Sequence, residues 1–331
     1  MSRIDEDKIV RLLRERFGAS GIPVIKGIGD DAAVLHLRGA PEYWVVTTDM
    51  LLEEVDFFRN WITPAQLGHK SLAANLSDLA AMGAAPRFFT VALALPADVS
   101  EGWIKAFYRG MSALARRHEA LLIGGDLSSS PLGIQVTITA IGETASRRPV
   151  YRSGGRPGDV LYVTGILGRA AAGLALLQRG CTKGRTPAER AALNSHRTPE
   201  PRCEVGLWLA RHRFAHCMMD LSDGLSTDLP RLCEASGTGA EISGAQLPTY
   251  SPARKWKCDP VELALHGGED FELLFAVANG KVTRFENAYP GDFPPVTRIG
   301  CLRRGRGVDW TPGHGMSLQP LLPAGFDHFR A

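Results

Sequence analysis

The 331 residues are 44% hydrophobic and 22% charged, an ordinary globular composition, and the length exceeds what one compact core usually organises, so two domains are expected. The formal net charge is +3, and Lys and Arg are scattered rather than gathered into a stripe that could track a phosphate backbone, which argues against nucleic acid as a partner. No apolar run approaches the roughly 20 residues that span a bilayer, and the N-terminus lacks a basic flank and apolar block, so the chain is expected to be cytoplasmic with no membrane partner.

The first predicted element is a docking helix over Ile4 to Phe17, with Ile9, Val10, Leu13 and Phe17 on one face and Ser2 or Asp5 as cap. Strand-like runs follow at Trp44 to Thr48, Phe88 to Leu95, Leu121 to Ile123 and Ile134 to Ile141, separated by helical stretches at Pro64 to Met82 and Glu101 to His118. A polar, glycine-rich stretch from Ser146 to Gly158 interrupts this alternation, and a boundary is placed near residue 148, giving domains 1–148 and 149–331. The second half reads as strand Asp159 to Thr164, helix Arg169 to Gln178, helix Pro201 to Arg211, strand His216 to Asp220, helix Ser226 to Ser236, and strands Phe271 to Val277 and Val296 to Ile299. Gly180 to His196, polar and without an apolar period, is expected to be a loop or lid. The six cysteines, Cys181, Cys203, Cys217, Cys233, Cys258 and Cys301, form no Cys-x-x-Cys pair and are expected to be reduced thiols.

The informative pattern is an aspartate standing where an apolar run stops, beside glycine or another small residue. It occurs in Gly27-Ile28-Gly29-Asp30-Asp31, Thr47-Thr48-Asp49, Gly124-Gly125-Asp126, Asp220-Leu221-Ser222-Asp223-Gly224 and Gly267-Gly268-Glu269-Asp270. Asp78 joins them from within the helical run Leu72 to Met82. Any one of these motifs is equally well a turn, and Asp31, Asp159 and Asp270 are read as turn or cap residues. Repetition is what points to chemistry. Carboxylates converging on one place repel each other and require hard cations between them, and magnesium suits oxygen ligands that also bridge phosphates. Thr47 and Thr48 would add hydroxyl or carbonyl oxygens.

Gly27 to Ala32 also matches the loose Gly-x-Gly-x-x-Ala dinucleotide fingerprint, but Ala32 to Leu37 reads as a strand where the fingerprint needs a helix. No P-loop, serine-hydrolase elbow or His-Glu-x-x-His helix occurs. Arg152, beside Ser153-Gly154-Gly155, either meets a nucleotide phosphate or belongs to a linker. Lys70 is read as a solvated helix charge and His266 and His328 as packing residues. Phe326 either packs on the core or stacks on a flat ring.

Taken in order over nearly the whole chain, Gly-Ile-Gly-Asp-Asp-Ala-Ala at 27–33, Thr-Thr-Asp at 47–49, Asn-Leu-Ser-Asp-Leu-Ala-Ala-Met-Gly-Ala at 75–84, Gly-Gly-Asp at 124–126, Asp-Leu-Ser-Asp-Gly-Leu at 220–225, Gly-Gly-Glu-Asp-Phe-Glu-Leu at 267–273 and the terminal Phe-Asp-His-Phe resemble the thiamine-monophosphate kinase family. The resemblance implies a two-domain α/β (α+β) fold of the aminoimidazole ribonucleotide synthetase type. Its N-terminal half would form a barrel across a homodimer, and its C-terminal half an α/β sandwich completing the site. It implies ATP and thiamine monophosphate as substrates and several Mg2+ ions. Asp30, Thr47, Thr48, Asp49, Asp78, Asp126, Asp220 and Asp223 match metal positions, with Asp126 and Asp223 central to catalysis. Gly125, Asp126, Arg152 and Ser222 match nucleotide contacts, and Glu269 and Phe326 substrate contacts. Where the family usually continues Gly-Val-His-Phe after Thr-Thr-Asp, this chain has Glu54-Val55-Asp56-Phe57. Asp56 then either faces the cationic thiazolium or marks a paralogue with another phosphorylated acceptor. The alternatives are an aminoimidazole ribonucleotide synthetase-like ATP-dependent ligase and a nucleotide-binding paralogue without turnover.

Overall fold

The computed structural model describes residues 6–18, 21–145, 147–313 and 315–327; Ser2, Asp5 and His328 lie outside them. Helix α1 (Glu6–Phe17) precedes β1 (Val24–Lys26), β2 (Ala33–Leu35), β3 (Trp44–Leu52), α2 (Pro64–Ala81), β4 (Ala84–Leu95), α3 (Glu101–Arg117), β5 (Leu121–Ser129) and β6 (Gln135–Thr144). The six strands form one sheet in the order β1-β2-β3-β6-β4-β5, antiparallel except for the parallel pair β4 and β5.

Helix α2 organises this half. Thr63 opens it with a capping box: its hydroxyl accepts from Gln66 N and its own N–H donates to Gln66 Oε1, with Pro64 in the first turn where a missing N–H does no harm. The helix is buried on nearly every side, between the sheet, α3 and the second half of the chain, as expected of a helix with small and apolar residues all round. Close approach to α3 rests on two glycines. A Cβ on Gly110 would lie 1.8 Å from the Ala65 carbonyl oxygen, and one on Gly68 2.1 Å from that of Phe107.

The second half contains β7 (Val160–Thr164), α4 (Arg169–Gln178), α5 (Pro187–Arg197), α6 (Cys203–His212), β8 (Ala215–Leu221), α7 (Leu225–Ser236), β9 (Gly239–Ser243), α8 (Pro260–His266), β10 (Glu272–Val277), α9 (Val282–Ala288), β11 (Val296–Arg303), β12 (Val308–Thr311) and β13 (Gln319–Pro320). Their sheet runs β13-β12-β9-β11-β7-β10-β8. Every residue of β7 and β10 is buried, which explains why both read as continuous apolar runs rather than alternations. One apolar core joins the halves, with Leu76 and Leu79 of α2, Leu209 of α6, Met218 of β8 and Phe275 of β10 in a single cluster. Among the described residues no helix is long and apolar enough to cross a membrane, and the six cysteines are free.

Four expectations are corrected. The apolar face of α1 does not dock within the chain, since Ile9, Val10, Leu13 and Phe17 are all exposed. The segment 180–196 is not structureless: Thr186 and Glu189 form a second capping box that starts α5. Strand β3 continues through Asp49 to Leu52, because its ladder with β6 persists to Gln135. Likewise β5 does not stop at Ile123, since its pairing with β4 continues through Gly124, Gly125 and Asp126 to Ser129. This edge strand is exposed along its whole length, with Leu121, Leu122, Ile123 and Leu127 open to solvent.

The α2 and α3 contact sets a test. Gly110→Ala is expected to destabilise the fold by about 2–3 kcal/mol, because neither backbone can give way freely, whereas Gly280→Ala, in open space, should stay within about 0.5 kcal/mol. Urea unfolding of both variants checks this; equal midpoints would remove the claim of a backbone-tight crossing.

Candidate active site

A cleft of about 1350 Å³ lies between the two halves and is lined by five of the segments singled out by sequence. Its size exceeds the roughly 300–1,000 Å³ typical of a single small ligand. The β1–β2 loop supplies Asp30 and Asp31, β3 supplies Thr47, Thr48 and Asp49, α2 supplies Asp78, and the end of β8 with its following loop supplies Asp220, Ser222 and Asp223. Asp56, Arg152, Glu269 and Phe326 also line it.

At the centre, Asp31, Asp78 and Asp220 each bring one carboxylate oxygen within 4.8 Å of the others. Three carboxylates this close, those of Asp31 and Asp220 buried and that of Asp78 partly so, cannot all be ionised without a counter-charge. Burial, with Asp49, Asp220 and Asp31 nearby, holds the Asp78 carboxyl well above the usual range. Burial and then Asp31 push Asp220 up to about 7, and burial with Asp223 and Asp56 pushes Asp49 up to about 6. Partial relief comes from protein donors. Thr47 Oγ1 donates to Asp78 Oδ2, Ser77 Oγ donates to Asp220 Oδ2 at 2.7 Å, and the Arg152 guanidinium donates to Asp31 Oδ1 at 3.1 and 2.7 Å. Asp31 Oδ2 stays buried without a hydrogen-bond partner. An all-oxygen donor set with an orphaned carboxylate oxygen fits a hard divalent cation.

Asp31, read from sequence as a turn residue, is therefore part of the cluster. Its neighbour Asp30 is held differently, with Oδ1 accepting from Arg152 N at 3.0 Å and Oδ2 2.9 Å from Lys26 Nζ. The turn that separates the two carboxylates depends on Gly29, whose φ of +110° favours glycine. Thr47 and Thr48 point to opposite faces of β3, as alternation requires; the Thr48 hydroxyl donates to Ile138 O at 3.0 Å, away from the face on which Thr47 meets Asp78.

The Asp220–Gly224 loop is fixed from within. Buried Asp228 accepts from Asp223 N at 3.0 Å and Gly224 N at 3.1 Å, and Arg231 pairs with both Asp223 and Asp228. Neighbouring backbone completes the frame: Glu269 N donates to Ser222 O at 2.7 Å and Phe326 N to Asp223 O at 3.0 Å. Phe326 thus presents a half-exposed ring at the cleft. Asp270 caps α4, its carboxylate accepting from Ala170 N at 3.1 Å. Asp159 accepts from Arg156 N at 2.8 Å within its turn. Asp56 Oδ2 accepts from Leu52 N at 2.7 Å, closing the turn after β3.

Two assigned residues stand apart. Gly125 and Asp126 are not in the cleft of their own chain. Asp126 aligns with Ala92, Ala92 with Thr137 and Thr137 with Met50, so three strand spacings of about 4.8 Å separate Asp126 from the residue next to Asp49, roughly 14 Å.

Sequence reading missed Lys70 and His196. Lys70 is 1% exposed, not solvated, and its Nζ lies 2.6 Å from Glu269 Oε1; His196 Nδ1 lies 2.9 Å from Oε2. Burial raises the Glu269 carboxyl, but Lys70 and His196 outweigh it and hold the group at about 2. The available signal was the apolar surroundings of Lys70 on α2 and the capping box that announces α5.

The AIR synthase related protein N-terminal domain matches residues 29–144, and the corresponding C-terminal domain matches residues 156–300. The thiamine-monophosphate kinase of Bacillus subtilis is 37% identical over 306 residues, covering 92% of this chain and 93% of that one. Among solved structures, AaThiL complexed with AMPPCP and TMP superposes with a TM-score of 0.87 at 30% identity, covering 99% of both chains. The thiamine-monophosphate kinase of Stenotrophomonas maltophilia K279a does so with a TM-score of 0.77 at 35% identity, covering 95% of this chain and 98% of that one.

The raised carboxyls fix a pH signature for the metal-free protein. Asp49 and Asp220 hold protons in the folded state between about pH 4 and 7 that the unfolded chain has released, so stability is greatest at the acid end and is lost as pH rises through the folded values. In EDTA, Tm is expected to fall from pH 5 to pH 8, and Mg2+ to restore it at pH 8 far more than at pH 5. A Tm that is flat with pH and indifferent to Mg2+ by scanning calorimetry would contradict the cluster.

Proposed function

The chain belongs to the thiamine-monophosphate kinase family of AIR synthase related proteins, and we propose that its cleft transfers the γ-phosphoryl group of ATP to the terminal phosphate of thiamine monophosphate, giving thiamine diphosphate. The observation that carries this reading is the crowding of Asp31, Asp78 and Asp220, with Asp49 and Asp223 lining the same cleft, in a space large enough for two ligands.

Such a transfer is opposed chiefly by repulsion between two phosphates. The acceptor oxygen is already anionic, so no general base is needed, and the barrier is lowered by holding donor and acceptor in line and countering their charge. Asp30, Asp31, Asp49, Asp78, Asp220 and Asp223, with oxygens of Thr47 and Thr48, would hold several Mg2+ ions, which when bound supply that counter-charge. Arg152 offers its guanidinium edge to a nucleotide phosphate while keeping Asp31 in place. Ser222 sits where the loop after β8 can meet the same nucleotide. Glu269, an ionised acceptor of hydrogen bonds, suits the amino group or cationic ring of thiamine, and the Phe326 ring suits stacking against a flat heterocycle. Asp56 stands close enough to Asp49 to raise its pKa, so it adds negative charge beside the acids of the cleft, and a cationic thiazolium brought near it would be favoured.

Asp126 enters through a second copy of the chain. The exposed edge strand β5 and the open sheet face bearing Thr48, Met50 and Ala92 support pairing of two N-terminal sheets into a barrel, which would bring Gly125 and Asp126 of one chain toward the other's cleft.

Three measurements test this. The purified protein with ATP and Mg2+ should convert thiamine monophosphate to the diphosphate, and no product would end the kinase reading. Asp126→Asn and Asp223→Asn should each lower kcat by about a hundredfold or more with the fold retained. Co-expressed as a mixed dimer they should recover about a quarter of wild-type activity, because half of the dimers are mixed and each keeps one intact site. A mixture as inactive as its parents would remove the shared site.

A further inference from the structure

We propose that Lys70 and His196 are positioning residues that lock Glu269 as a fixed, acceptor-only group for the organic end of the phosphate acceptor, an inference that rests on the kinase reading above. The three residues come from distant parts of the chain: Lys70 from the middle of α2, His196 from the last turn of α5, and Glu269 from the loop between α8 and β10. Lys70 is 1% exposed and His196 6%. Glu269 and His196 line the cleft, and Lys70 stands behind them.

A buried ammonium is tolerated only when paired, and here the pairing is with a group that also faces the ligand. Lys70 Nζ and His196 Nδ1 take one carboxylate oxygen each, at 2.6 and 2.9 Å, and neither has another side-chain partner among the described residues. The Glu269 side chain remains 28% exposed and lines the cleft, so the carboxylate keeps lone pairs beyond the two used by Lys70 and His196 for a donor in the cleft. A backbone φ of +64° at Glu269, in a region that ordinary side chains rarely adopt, directs the residue, and its N–H is tied to Ser222 O. Such a conformation persists only when its surroundings over-determine it, and the Lys70 and His196 clamp supplies that.

The clamp also sets charge and tautomer. Burial, and then Lys70, lower the His196 pKa, so the ring is neutral. Facing a carboxylate, Nδ1 carries the proton and Nε2 is left as an acceptor. One ammonium, one carboxylate and one neutral imidazole sum to no net charge. The unit can therefore accept hydrogen bonds from an amino-substituted or cationic heterocycle without adding to the excess of negative charge around Asp49 and Asp78. A phosphate oxygen would gain nothing there, which separates the acceptor's organic end from its phosphate end.

The test is steady-state kinetics with thiamine monophosphate and ATP varied separately, on Lys70→Met, His196→Leu and His196→Asn. Asn places a donor near the position of Nδ1 and Leu does not. Lys70→Met and His196→Leu are expected to raise KM for thiamine monophosphate by about tenfold or more, with kcat and KM for ATP within about twofold, and His196→Asn to recover most of the loss. If Lys70→Met fails to fold, the two His196 variants decide. An unmoved KM in folded His196→Leu, equal changes in both KM values and kcat, or no difference between Asn and Leu would overturn the positioning role. Those results with an active wild type overturn this inference alone, whereas a wild type that makes no thiamine diphosphate overturns the kinase reading as well.

Discussion

Like-charge repulsion among buried carboxylates is the constraint around which this molecule is arranged. Asp31, Asp78 and Asp220 belong to a loop, a helix and a strand end that are far apart in sequence, and their oxygens meet within 4.8 Å. An isolated chain has no reason to gather such groups, because each must shed water and face the others. The apolar core that joins Leu76 and Leu79 to Leu209, Met218 and Phe275 supplies the drive. Burial on that scale outweighs local electrostatic strain at a few sites, which is how a fold can store an unfavourable charge arrangement where chemistry needs it.

The surrounding side chains temper the strain without abolishing it. Ser77, Thr47 and Arg152 each satisfy one oxygen of the cluster, and Asp228 with Arg231 fixes the loop that carries Asp223. What remains, notably Asp31 Oδ2, is an acceptor without a donor. At the other end of the cleft the same problem is solved differently: Glu269 is a half-buried acid whose charge the Lys70 ammonium balances from within the protein, with His196 Nδ1 beside its other oxygen. One cleft thus holds acids of opposite character, some short of positive charge and one fully supplied, and that contrast separates the ion-binding and organic-binding ends in the proposed reaction.

Much of this was legible in the residues, for identifiable reasons. Helices α2, α3, α4 and α7 show apolar periods or strong start signals, and β7, β8 and β10 are apolar runs that only a buried strand explains. The Asp and Gly motifs of the cleft announced a shared site. The choice between Asp30 and Asp31 was not legible, because it depends on how Gly29 turns the backbone. Lys70 was misread because a helix buried on every side leaves no polar face by which to recognise a paired interior charge. Strand β5 was cut short because glycine is a poor local signal for a strand, while its register with β4 is a non-local fact. The apolar face of α1 was visible, but what covers it is not written in its own sequence.

The backbone ties around the Asp220–Gly224 loop have a mechanical consequence. Glu269 and Phe271 donate to Ser222 and Leu221 from one side, and Phe326 donates to Asp223 from the other, so three strips of main chain are laced into a single plate. Displacing any one of them drags its neighbours. An ion held by Asp220 or Asp223 would therefore also set the posture of Glu269 and Phe326, and occupancy at one end of the cleft would be felt at the other through covalent chain and amide bonds, with no separate moving part.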